Sequence, residues 1–186
     1  MKKRCSWVSE SQLYIEYHDN EWGEPVADDE TLFEFLILET FQSGLSWSTI
    51  LNKRAQFRIA FDGFDCQKIA KYTAYKFELL MQDTGIVRNK LKIKSAITNA
   101  QCFIAIQKDY GSFSNFIWAY VKGRPIVNEF ENSAAVPATT DLSELISKDL
   151  KKRGFKFVGA TVMYAYMQAI GMVKDHTTDC FKFQNK

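Results

Sequence analysis

Along most of this chain apolar residues recur at the three- and four-residue spacing of helices, not in the alternation of strands. DDETLFEFLILETFQSG (28–44) opens with acidic residues suited to a positive helix N-terminus and closes near a glycine that can stop it. SWSTILNKRAQFRIAF (46–61) opens on a serine cap and keeps helical spacing. The same pattern predicts helices over 73–83, 88–108, 112–121, 141–153 and 158–173. Residues 122–140 (KGRPIVNEFENSAAVPATT) hold two of the three prolines and no helical period, so a long loop is expected, and such loops are often functional. The expectation is an all-α fold with both termini outside the most regular helices.

With 186 residues, 46% apolar and 15% aromatic, the chain has ample material for a core and fits one compact domain or two small lobes sharing a core. MKKRCSWVSE carries basic residues but no apolar run behind them, which argues against a signal peptide, and no stretch has the length of a membrane span. A cytosolic protein without membrane partners is expected. The net charge of +2 does not announce a nucleic-acid binder. Basic residues nevertheless cluster at Lys2-Lys3-Arg4, Lys53-Arg54-Arg58, Arg88-Lys90-Lys92-Lys94 and Lys151-Lys152-Arg153-Lys156. Each cluster taken alone reads first as a solvated face.

Candidate chemistry begins at the two ends. The only histidines, His18 and His176, are each accompanied by a cysteine, Cys5 and Cys180. Two thiolates and two imidazoles complete a tetrahedral zinc set and leave no open position, so the ion would be structural. His176 and Cys180 stand one helical turn apart; Cys5 and His18 need a folded segment to meet. A Cys5–Cys180 disulfide and plain burial are the alternatives. Cys66 and Cys102, with no histidine nearby, read as small hydrophobes.

Glu39 falls on the apolar stripe Leu32, Leu36, Glu39, Ser43. There it must find a partner or a proton. It is either a capping or salt-bridge residue or the recognition group for a polar or cationic ligand. Trp7, Tyr14, Tyr17, Trp22 and Trp47 supply aromatic faces with polar handles, suited to core packing or to stacking on a nucleobase. RGFKFVG joins two helices; Gly154, Lys156 and Gly159 make a turn that can offer backbone N–H groups to a phosphate.

The stretches RCSWV, YIEYHDNEWG, ETFQSGLSWSTILNKR and KKRGFKFVGATVMYAYMQAIGMVKDH, with Cys180, together resemble the DNA-3-methyladenine glycosylase I family of the helix-hairpin-helix superfamily, over residues 4–180. The resemblance implies a helix-hairpin-helix glycosylase fold spanning 1–186, with the hairpin motif about 141–173. A structural Zn2+ on Cys5, His18, His176 and Cys180 would clasp terminal segments of about 1–25 and 172–186. It implies that Glu39 hydrogen-bonds the excised base and that Tyr17 and Trp47 contact it, with Trp7, Tyr14 and Trp22 lining the pocket. Gln42, Ser43, Gly44 and Leu45 would enter the gap left by the flipped nucleotide, and Gly154–Gly159 would bind a phosphate. The partner would be double-stranded DNA carrying alkylated bases, met by a monomer in the bacterial cytosol. The activity implied is monofunctional hydrolysis of the N-glycosidic bond of 3-methyladenine. A lysine nucleophile after the hairpin is missing: Ala160, Thr161 and Val162 stand there. Asp175 lies near the superfamily's catalytic aspartate position but beside a proposed zinc ligand. Thr40 and Ala160 depart from the residues expected of the family, and neither removes a chemical group.

Overall fold

The computed structural model describes residues 2–183, so Met1 and the last three residues of the expected 172–186 segment lie outside it. Nine α-helices and one two-stranded parallel ladder are present among the described residues. Every helix expected from periodicity is there: α2 (Asp29–Gln42), α3 (Trp47–Ala60), α5 (Ala74–Gln82), α6 (Lys90–Tyr110), α7 (Phe113–Ala119), α8 (Asp141–Lys152) and α9 (Ala160–Ala169). Ser46 and Thr73 cap α3 and α5 by accepting from the N–H groups of Thr49 and Lys76. Two further helices, α1 (Gln12–Asn20) and the single-turn α4 (Cys66–Ile69), lacked a readable period.

The all-α expectation needs a correction. Ile126–Val127 (β1) pairs in parallel with Val173–Lys174 (β2). This ladder ties the long loop to the C-terminal segment, reinforced where Thr178 N–H donates to the Phe130 carbonyl. The last expected helix therefore ends at Ala169 rather than 173.

Helix α2 is the hub, packed by α3, α6, α7 and α9. Its residues from Leu32 to Phe41 are all buried, so the expected single stripe is in fact a helix covered on every side, with Ser43 already exposed beyond its end. Thr40 fits without strain: it is fully buried and its hydroxyl donates to the Ile37 carbonyl. Asp29 starts α2 but serves a different helix, accepting from the backbone N–H groups of Phe113 and Ser114 at the start of α7. The chain turns back from α9 at Gly171, whose φ is +69° and whose missing Cβ would stand 2.3 Å from the backbone of Glu24; only glycine fits.

Candidate active site

The four terminal ligands converge. Cys5, His18, His176 and Cys180 are buried, with their ligand atoms all within 4.8 Å of one another. Cys180 Sγ lies 3.5 Å from His18 Nε2 and 3.7 Å from His176 Nδ1, and Cys5 Sγ lies 3.6 Å from His176 Nδ1. Zn–S and Zn–N bonds of about 2.3 and 2.0–2.1 Å at a tetrahedral angle separate sulfur and nitrogen by about 3.6 Å. The donor set therefore fits a tetrahedral metal. Both cysteines are free thiols, so the disulfide alternative is not adopted. Burial pushes the Cys5 thiol up to about 11 and His176 down to about 4. Neutral imidazole is the ligand form, and a cation is what such thiols need in order to ionise.

A supporting layer was not readable in the sequence. Asp19 takes the other nitrogen of His18 at 2.8 Å, and Arg4 grips Asp19 with two bonds of 2.8 and 2.6 Å. A carboxylate behind a ligating histidine fixes its tautomer and ring plane. The Asp19 carboxyl is held down at about 2, chiefly by Arg4.

Trp7 and Trp22 join the clasp to a cavity. The Trp22 ring meets His176 edge-on at 4.7 Å, and Trp7 meets Trp22 at 4.9 Å and His18 at 5.3 Å. On their other side lies a cavity of about 380 Å³ that Tyr14, Tyr17, Glu39 and Trp47 also line. All six pocket residues named from the sequence thus come together. Tyr17 and Trp47 form a tilted pair at 5.1 Å, and Tyr17 is almost wholly buried. Ser133 and Val136 of the long loop, and Ala165, Gln168 and Asp175, complete the wall. The loop's length hinted at Ser133 and Val136, and Asp175 stood near the superfamily's catalytic aspartate position; nothing in the local pattern marked out Ala165 or Gln168.

Two atoms in this wall are buried without a hydrogen-bond partner: Glu39 Oε2 and Trp47 Nε1. One is an acceptor and the other a donor. The capping and salt-bridge alternatives for Glu39 are therefore not adopted. Burial raises the Glu39 carboxyl to about 8, so of the two courses open to it, a partner or a proton, it takes the proton. Asp175 presents the opposite case. It is as buried as Glu39, yet Tyr164, Asn128 and Gln168 donate to it at 2.6, 2.7 and 2.8 Å.

The cavity opens beside the turn Gln42–Leu45. An adjoining cleft shares Glu39, Gln42 and Ala165 with it and is bounded by Ser43, Gly44 and Leu45 on one side and Thr161 and Val162 of α9 on the other. Gly44 supplies a φ of +77°, and Leu45 is 40% exposed at the tip. The hairpin between α8 and α9 leads directly into the end of α9 that bounds this cleft, with Lys156 exposed, Gly154 at φ +99° and Gly159 at the N-cap of α9.

The basic clusters divide. Arg54 is buried between Glu34 and Glu21, Arg58 pairs with Glu34, and Lys53 donates to the carbonyls of Thr84 and Gly85. The N-terminal cluster serves the clasp through Lys3–Asp179 and Arg4–Asp19. Arg153 is engaged with Asp149 and Tyr110. Arg88, Lys90, Lys94, Lys151, Lys152 and Lys156 remain exposed.

With this geometry in place, comparison with known proteins is decisive. The sequence model of the methyladenine glycosylase family matches residues 7–183. The chain belongs to that family. A DNA-3-methyladenine glycosylase of Haemophilus influenzae is 47% identical over 180 residues, covering 97% of both chains. A crystal structure of 3-methyladenine DNA glycosylase I superposes with a TM-score of 0.95 at 46% identity, covering 98% of this chain and all of that one. A variant of such an enzyme in complex with 3-methyladenine gives 0.94 at 35% identity, covering 98% of each. The mostly helical architecture and its small ladder are thus the fold of methyladenine glycosylases. No helix among the described residues is long and apolar enough to cross a membrane.

Proposed function

We propose that this methyladenine glycosylase excises 3-methyladenine from alkylated double-stranded DNA, as the first step of base excision repair. The observation that carries the reading is the pair of buried, unpartnered groups, Glu39 Oε2 and Trp47 Nε1, in an aromatic cavity sized for a purine. A pocket keeps such atoms unsatisfied at a cost, and a ligand's N–H groups and acceptors offset it.

The chemistry follows. N3-methylation makes the purine a cation, which weakens its bond to C1′. The base is turned out of the duplex into the pocket. The C1′–N9 bond breaks with its electron pair leaving on the base, so the departing 3-methyladenine becomes neutral. Water adds to the oxocarbenium-like C1′ and loses a proton, leaving an abasic site. Little acid catalysis is required. A methylated, positively charged purine entering the cavity favours the ionised form of Glu39, whose proton passes to solvent water, and the resulting carboxylate accepts hydrogen bonds from the base. Tyr17 and Trp47 offer faces that favour a cation over a neutral ring. Asp175, held by three donors, acts as wall and not as base. Lack of a lysine after the hairpin supports a monofunctional hydrolase.

Around this centre, Leu45 and its turn fill the gap in the duplex, and the Gly154–Gly159 hairpin takes a backbone phosphate. Cys5, His18, His176 and Cys180 hold a structural Zn2+, which supplies cross-linking and no step of the reaction. The chain works as one glycosylase domain over 1–186, as a monomer, in the bacterial cytosol. The test is release of free base from N-methylated duplex DNA, with products separated by chromatography. Release by wild type that is lost in Glu39→Gln is expected; duplex binding without release would overturn the reading.

A further inference from the structure

Helix α6, the longest among the described residues, touches both the turn after α2 and the α8–α9 hairpin through side chains on one of its faces. Lys92 is 5% exposed, and its ammonium donates to the Phe41 carbonyl at 2.8 Å and to the Ser43 carbonyl, closing the end of α2 where the Gln42–Leu45 turn begins. A buried cation at a helix C-terminus satisfies carbonyls that have no partner within the helix. Seven residues on, Asn99 is fully buried and grips the hairpin twice: its Oδ1 accepts from Lys156 N–H at 2.8 Å, and its Nδ2 donates to the Lys156 carbonyl at 3.0 Å. Both backbone groups of Lys156 are fixed by one side chain. The next residue, Phe157, is held at φ +58°, a conformation that costs a non-glycine residue energy and persists only under such constraint.

Positions 92 and 99 lie two turns apart on nearly the same face, about 10 Å along the axis. Ser95 lies between them, also buried, its hydroxyl donating to the Lys92 carbonyl at 2.7 Å. We infer that α6 is a spacing bracket: Lys92 and Asn99 are positioning residues that set the distance between the strand-inserting turn and the phosphate-binding hairpin. The inference rests on the duplex-binding reading above. Its logic is that a duplex is a rigid ruler. Two contacts gain jointly from being held at one separation, since ordering them is then not charged to binding. Neither residue lines the base cavity, so base recognition and duplex engagement separate energetically.

The experiment compares wild type, Asn99→Ala, Lys92→Met and the double variant in two assays. Affinity for a duplex carrying a stable abasic-site analogue is read by anisotropy, and affinity for free 3-methyladenine by tryptophan fluorescence. Each single variant is expected to lose roughly tenfold in duplex affinity while holding free-base affinity within about twofold. The double variant should lose less than the product of the singles, since breaking either grip already frees the spacing. Unchanged duplex affinity would overturn the bracket, and so would equal loss in both assays, which marks a merely structural role. Should a variant fail to fold, hydrogen exchange of the wild type decides: the Lys156 amide must exchange as slowly as amides inside α6, and fast exchange overturns the inference. Base release by wild type from methylated duplex is scored separately, so failure of the glycosylase reading is not mistaken for failure of the bracket.

Discussion

The cavity has two carboxylates in its wall, and they are treated in opposite ways. Asp175 is met by three donors; Glu39 keeps an oxygen with none, though both are almost fully buried. Burial raises Glu39 to about 8 by itself, whereas Asp175 has its oxygens satisfied by the hydrogen bonds it accepts. A satisfied buried group stabilises one structure; an unsatisfied one lowers stability until something binds. The contrast tells wall from recognition group, where residue type and burial alone do not.

The strongest way to break this comparison is to remove what fixes the wall that faces Glu39. Stripping metal with a chelator, or His176→Ala, should release the segment bearing Trp7, Tyr17 and Trp22. Structural zinc contributes on the order of 10 kcal/mol in small sites, so a fall in Tm of well over 10 °C is expected. The matching observation is one zinc per chain by elemental analysis, lost together with the tryptophan signal for free base. Glu39→Gln comes next. Base release should fall by about 100-fold or more while duplex affinity stays within twofold, measured by single-turnover kinetics and anisotropy. Asp175→Asn should do the reverse, costing about 1–3 kcal/mol in chemical denaturation, because an amide cannot accept from all three donors. Its effect on base release should be far smaller than that of Glu39→Gln.

The smallest effect concerns pH. The Glu39 carboxyl titrates near 8 when folded against an ordinary 4.5, so between those values the native state holds a proton that the unfolded chain has lost. Stability contributed by this group is present in full below about 4.5 and declines as pH rises toward 8. Glu39→Gln should flatten that slope and be the more stable protein at pH 8, by about 1–3 kcal/mol after relaxation and water entry are allowed for. Thermal scans at pH 6 and 8 on both proteins measure it; a slope unchanged by the substitution would count against a buried, ionising Glu39.

Local chemistry made much of this legible. Ser46 caps the helix that its position announces, and helical spacing alone placed α2, α3 and α5 to α9. Rarity of histidine led to the clasp, and the aromatic supply before residue 23 led to the pocket. What stayed hidden shares one property: it depends on partners far away in sequence. Arg54 looks like one member of a basic patch until Glu34 and Glu21 are placed around it, 20 and 33 residues off. Lys92 looks like surface charge until the end of α2 arrives, 49 to 51 residues away. The ladder of two residues per strand has no period to detect, and it is one of the long-range contacts that hold the loop bearing Ser133 and Val136, together with Thr178 to Phe130 and Ser6 to Ser133. Helix α1 escaped because its buried Tyr17 and His18 are adjacent, while Leu13 points outward.

The clasp also bears on how the molecule is born. Cys5 and His176 are separated by 171 residues, and the tryptophans between clasp and cavity rest on both. On the ribosome the aromatic segment of residues 7–22 is made before His176 and has to wait for it. Helices α2, α3 and α6 can pack during synthesis; the reactive pocket closes last. A chain cut before residue 176 would lack half of the clasp on which these tryptophans rest.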